Sequence, residues 1–131
     1  MKYFTIKELC NSSVATQKQI DNTPNSEVVN NLECLVEYVL DPLREKYGKP
    51  INVNSGYRCP DLNKAVNGSK NSQHMFGLVA DITAGSKLEN KRLFILAQQL
   101  NLPYDQLIDE KDYSWIHISY AKNPRKQILH L

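Results

Sequence analysis

Cysteine is scarce in this 131-residue chain, and its count is odd. Cys10, Cys34 and Cys59 are the three, and no C-x-x-C occurs. That argues against a disulfide scaffold and against a cysteine-ligated zinc site, and it fits a reducing compartment. Long apolar runs are also missing. No segment approaches the roughly 20 apolar residues of a membrane span, and the opening "MKYFTIKELCNSS" holds no apolar stretch of signal-peptide length. The sequence therefore predicts a protein without stable membrane association, cytoplasmic as synthesised, which acts outside only if something else releases it. Charge of one sign is lacking too: 16 Lys and Arg face 14 Asp and Glu, a net +2. Nucleic-acid binding needs a clustered basic face, so no nucleic-acid partner is expected. The locally basic "AKNPRKQILH" (121–130), with Lys122, Arg125 and Lys126, reads as a solvated tail or an edge strand. No repeat or low-complexity tract divides the chain. Its length predicts one domain over 1–131 with one core, and an irregular N-terminal segment at 1–25. Nothing in it speaks to oligomeric state.

What is present is periodic. Val28, Leu32, Leu35, Val36, Val39, Leu40 and Leu43 recur at three and four, a helical stripe that needs a sheet to cover it. Ser26 is the expected cap, Pro42 the expected kink or restart, and Gly48 with Pro50 the stop. In "INVNSGYR" (51–58) Ile51 and Val53 alternate with asparagines, as in a short strand. A short helix is expected around Leu62 to Val66, closed by Asn67 and Gly68. "LVADIT" (78–83) reads as a buried strand. Ser86 and Glu89 form a capping box opening a helix to about Leu100, with Leu93, Leu96, Ala97 and Leu100 inward. "YDQLIDE" (104–110) and "SWIHISY" (114–120) read as a hairpin, and "KQILHL" as a last edge strand. The predicted class is α+β, with helices packed on a small, mostly antiparallel sheet.

Only three histidines occur, and two fall in telling places. His74 ends a polar loop, Asp81 lies in an apolar strand, and His117 sits between two isoleucines in another. A carboxylate in such a setting is costly without a partner. One zinc ion ligated by His74, Asp81 and His117 would satisfy all of them and leave a fourth position for water. Each residue also has a plainer reading: a hydrogen-bonded core histidine for His117, a cap or turn for Asp81. Spacing alone leaves both open. His130, near the terminus, reads as structural or solvated.

"SGYRCPDLNKAVNGSKNSQHMFGLVADI" (55–82) resembles the S-G-Y-R…S-x-H-x-x-G-x-A-x-D-I signature of zinc D-alanyl-D-alanine carboxypeptidases. That superfamily includes phage L-alanyl-D-glutamate endolysins and shares its fold with the hedgehog signalling domain. "DQLIDE…WIHIS" (105–119) resembles its second motif. The resemblance implies a hedgehog-like, DD-peptidase-like fold and a zinc metallopeptidase hydrolysing a stem-peptide bond of peptidoglycan, as carboxypeptidase or endopeptidase. It implies His74, Asp81 and His117 as zinc ligands. It implies Arg58 as the catalytic or binding group on a substrate carboxylate or carbonyl, a role that suits a guanidinium. Ser72 matches a family serine placed to bond substrate or ligand, and Gly77 answers to backbone geometry. A phage or prophage lysin released through a membrane pore fits the missing signal peptide, as does a cytoplasmic recycling enzyme.

The departure is at the general base. Several branches carry Asp or Glu three residues before the last histidine ligand, where this chain has Ser114. Glu110 and Asp112 are the substitutes, with Glu110 ranked first because a hairpin brings it beside His117. Gln106 shares its strand face and is a candidate substrate contact. Ser114 also motivates a rival: a catalytically inactive, zinc-stabilised module that binds cell-wall peptide or a protein partner.

Overall fold

The computed structural model describes residues 1–131. Its longest helical stretch is the apolar stripe read from the sequence. Helices α1 (Ile6–Cys10) and α2 (Ser13–Gln17) precede it, α3 (Ser26–Leu35) begins it, a π-helical turn (Val36–Leu40) widens it, and α4 (Asp41–Tyr47) ends it. The widened turn lies just before Pro42, which has no N–H to give to the preceding turn. Gly48 stops the helix at φ 77°, with its N–H on the Arg44 carbonyl. The N-cap is Asn25 rather than Ser26: Asn25 Oδ1 accepts from Val28 N at 2.9 Å, and Ser26 becomes the first helical residue.

The chain continues through β1 (Asn52–Ser55), α5 (Pro60–Ala65), a 3-10 turn (Gln73–Phe76), β2 (Val79–Thr83), α6 (Lys87–Gln99), β3 (Tyr104–Glu110), β4 (Trp115–Tyr120) and β5 (Gln127–His130). The sheet order is β1-β2-β4-β3-β5, antiparallel except where β5 runs parallel to β3 at the edge. This is the expected α+β class. One sheet face carries Ala80, Ile82, Leu107, Ile116 and Ile118, which pack against Leu32, Leu35, Val36, Val39 and Leu40 and against α6. α6 buries Leu93, Phe94 and Ala97, and leaves Leu96 and Leu100 only partly covered. Alternation sends Asp81 and His117 to the opposite face.

Two further expectations change. The segment 1–25, read as irregular, holds α1 and α2, capped by Thr5 Oγ1 on Glu8 N and Ser12 Oγ on Ala15 N. Helices this short do not stand alone; they are held because Phe4, Leu9 and Ala15 are buried. The short helix expected from Leu62 begins earlier, at Pro60, because Cys59 caps it with Sγ on Leu62 N. That contact gives Cys59 a structural role.

Candidate metal centre

Asp81 and His117 lie directly opposite in the β2–β4 register, 36 residues apart in sequence. His74 comes from the 3-10 turn rather than a loop end. Ser72 Oγ caps that turn by accepting from His74 N at 3.2 Å, and Gly77 closes it at φ 74°. A Cβ on Gly77 would lie 2.9 Å from both Val28 Cγ1 and Val28 O, so contact as well as conformation calls for glycine. His74 Nε2 is 3.3 Å from Asp81 Oδ2, and His117 Nδ1 is 3.0 Å from Asp81 Oδ1. The three potential ligand atoms lie within 4.8 Å of one another.

The surroundings prepare these atoms. His74 Nδ1 is 2.6 Å from the Gly56 carbonyl, which can only accept. The Nδ1 proton therefore sits there, which leaves Nε2, the ring atom facing Asp81, as the one that would ligate a metal, as in metal-ligating histidines held by a carbonyl. Gly56 has no room for a side chain, since a Cβ would stand 2.2 Å from the Leu9 carbonyl oxygen. Burial pushes the Asp81 pKa up, but hydrogen bonds from His117 and His74 outweigh it and hold the carboxyl well below its usual range. Two imidazole nitrogens and one ionised carboxylate are a donor set that fits a tetrahedral metal with one position open.

Arg58 follows the end of β1. Its N–H donates to the His74 carbonyl at 3.0 Å, and Nη2 donates to Ser72 Oγ at 3.3 Å. Its Nε is buried without a partner. Burial lowers the guanidinium pKa, and the Asp81 charge pulls it back up. The loop around Arg58 is clamped by a residue the sequence did not single out. Asn22 Nδ2 donates to the carbonyls of Cys10 (2.9 Å) and Tyr57 (3.1 Å), while Oδ1 accepts from Cys59 N at 2.8 Å. These bonds hold the backbone on both sides of Arg58. Replacing Asn22 with alanine strips all of them, with an expected cost of about 1–3 kcal/mol. Urea denaturation reads this directly; an unchanged midpoint would mean that the clamp carries no energy.

Two cavities flank the histidine–aspartate cluster. One, about 250 Å³, is lined by Asn54, Asp81 and Trp115. Asn54 reaches it from a bulge, where Val53 pairs with Ile82 and Ser55 with Asp81. The other, about 370 Å³, is lined by Ser69, Asn71, Ser72, Gln73, Gln106, His117 and Arg125. Gln106 thus shares a cavity with His117. A second bulge, between Tyr104 and Leu107, gives Gln106 N to Ser119 Oγ and buries Asp105 beside Gln73 and Arg125. Trp115 was within reach of the sequence: two residues before His117 on one strand, it shares its face. Asn22, Asn54 and the Asp105–Arg125 pair had no periodic signal.

The remaining expected residues separate. Glu110 is half-buried at the end of β3, opposite Trp115, and Ile108 is opposite His117, so Glu110 projects on the His117 face. Asp112 is in the turn, 84% exposed, and 3.6 Å from Lys87. Ser114 turns Oγ onto the Lys111 carbonyl and closes the hairpin. His130 pairs through Nδ1 with buried Asp109, away from the cluster.

The model of the peptidase M15 family matches residues 2–119, so the chain belongs to that family. It is 37% identical over 87 residues to the zinc D-Ala-D-Ala carboxypeptidase of Streptomyces albus G. That stretch takes in 64% of this chain, which spans about a third of its relative's length (32%).

Asp105 supports an acid-stability prediction. Hydrogen bonds from Arg125 hold its pKa down at about 2 against burial, which raises it. An unfolded aspartate titrates near ~3.9. The group therefore stabilises the fold fully above that value, and the contribution is lost as pH falls toward 2. Its expected size is about 1–2 kcal/mol, reduced because Arg125 is exposed. Urea midpoints measured against pH are expected to fall less steeply for Asp105→Asn than for the native chain; equal slopes would refute the assignment.

Proposed function

We propose that this chain is a zinc-dependent peptidase that hydrolyses an internal bond of the peptidoglycan stem peptide. The observation that carries the reading is the His74–Asp81–His117 cluster, with one cavity lined by Asp81 and a second lined by His117. Two separate spaces at the cluster suit a peptide that continues past the scissile bond in both directions. The name of the relative, a zinc D-Ala-D-Ala carboxypeptidase, supports zinc and a cell-wall peptide as the chemistry.

His74, Asp81 and His117 would hold the zinc. When bound there, zinc supplies Lewis acidity toward a carbonyl oxygen and acidifies water to a pKa of about 7. The chain's own residues do the rest. Gly56 fixes the tautomer of His74 through its carbonyl. Arg58, with an unused Nε and an Nη2 tied to Ser72, donates to the substrate carbonyl or carboxylate oxygen. Glu110 accepts the proton of the attacking water and returns it to the leaving amine nitrogen. Asp112 is the weaker choice for that role, because it is exposed and paired with Lys87.

A second reading, an inactive zinc-stabilised module that grips stem peptide, rests on Ser114 standing where related branches carry an acid and bonding only its own turn. Mass spectrometry of fragments released from purified peptidoglycan decides. Endopeptidase cleavage releases multi-residue peptides, carboxypeptidase cleavage releases a single terminal amino acid, and an inactive module releases neither.

A further inference from the structure

The 370 Å³ cavity beside His117 is lined by no carboxylate and no apolar side chain, and its one obligate cation is Arg125. Arg125 is held with unusual care for a residue whose side chain is 56% exposed. Its backbone N–H donates to Asp105 Oδ1 at 2.9 Å, Nε lies 3.1 and 3.2 Å from the two Asp105 oxygens, and Nη2 donates to Oδ2 at 2.8 Å. Asp105, with a side chain only 6% exposed, is oriented from the other side by Gln73 Nε2 at 3.3 Å. The fork uses one edge of the guanidinium. Nη1 has no protein partner, and an arginine carries five N–H donors in a fixed plane. A buried carboxylate has thus locked a planar cation at the wall of a polar cavity, with its free edge available.

We infer that Arg125 forms a subsite for a carboxylate group of the bound peptide, one that selects acidic stem peptides over their carboxamide forms. This rests on the peptidase reading above, whose Arg58 works on the His74 side of the cluster. Locking by Asp105 removes the rotamer freedom that an exposed arginine would lose on binding. A carboxylate matches the geometry of the fork, whereas a carboxamide offers one acceptor and places an NH₂ against a donor.

The test uses synthetic stem peptides in which each carboxylate in turn is replaced by a carboxamide. Trp115 is the chain's single tryptophan and lines the neighbouring cavity, so stopped-flow fluorescence of the zinc-loaded protein reads binding before turnover. One replacement is expected to weaken binding by about tenfold, and that ratio is expected to fall to about one in Arg125→Gln. Should the single variant misfold around an unpaired Asp105, the Asp105→Asn/Arg125→Gln double variant replaces the ion pair with two amides and carries the same expectation. Equal binding of all forms by the native chain overturns the inference, as does a preference that survives loss of Arg125. Hydrolysis is followed in parallel. Cleavage without a carboxylate preference leaves the peptidase reading standing and removes the subsite; an Arg125-dependent preference without cleavage does the reverse. No binding of any form removes both.

Discussion

Replacing His117 with alanine is expected to empty the metal centre and abolish hydrolysis. His117 supplies one of only three donor atoms and one of the two imidazoles that engage Asp81. Loss of a partner that merely orients a ligand already costs about 10–100-fold in metal affinity, so loss of the ligand itself costs at least that. The chain should fall from one zinc per molecule to substoichiometric metal by mass spectrometry, with peptidase activity at background. His130→Ala is the matched control. That histidine pairs with Asp109 on a different part of the sheet and is expected to leave zinc content intact. A zinc-free His117→Ala chain that still cleaves would overturn the assignment.

The second large effect is expected at Glu110. Glu110→Gln keeps size and hydrogen bonding but loses basicity, and general-base catalysis contributes about 10²–10⁴-fold. The fall is expected in kcat with zinc retained. Asp112→Asn is expected to change kcat by no more than about twofold, because Asp112 is solvated beside Lys87. The reverse pattern would move the base to Asp112. A native chain that loads zinc and binds peptide but never cleaves would favour the inactive module.

Much of this architecture was legible in the sequence, because its cause is local. The 28–43 stripe buries itself at helical spacing, and alternation in "LVADIT" and "WIHIS" puts the isoleucines on one sheet face and Asp81 and His117 on the other. What stayed hidden depends on contacts between distant segments. The register that sets Asp81 opposite His117 is a property of the assembled sheet. The bulges at Asn54 and at Asp105–Gln106 are each one extra residue in a strand, and composition does not mark them. Asn22 stands in a polar stretch among similar residues, and only folding brings it to Tyr57 and Cys59. Arg125 read as part of a solvated tail or an edge strand, and its role stayed hidden because its partner lies 20 residues earlier, in a strand of the predicted hairpin. The shift of the cap from Ser26 to Asn25 is smaller in kind: both residues cap well, and the side chain that reaches Val28 N decides.

The most direct test of the central claim follows peptide release from purified peptidoglycan by the native chain, by the same protein after chelation, and after zinc is returned. If His74, Asp81 and His117 form a catalytic zinc centre, release stops with the chelator and recovers with one equivalent of zinc. Release that continues undiminished in the metal-free protein would contradict the account.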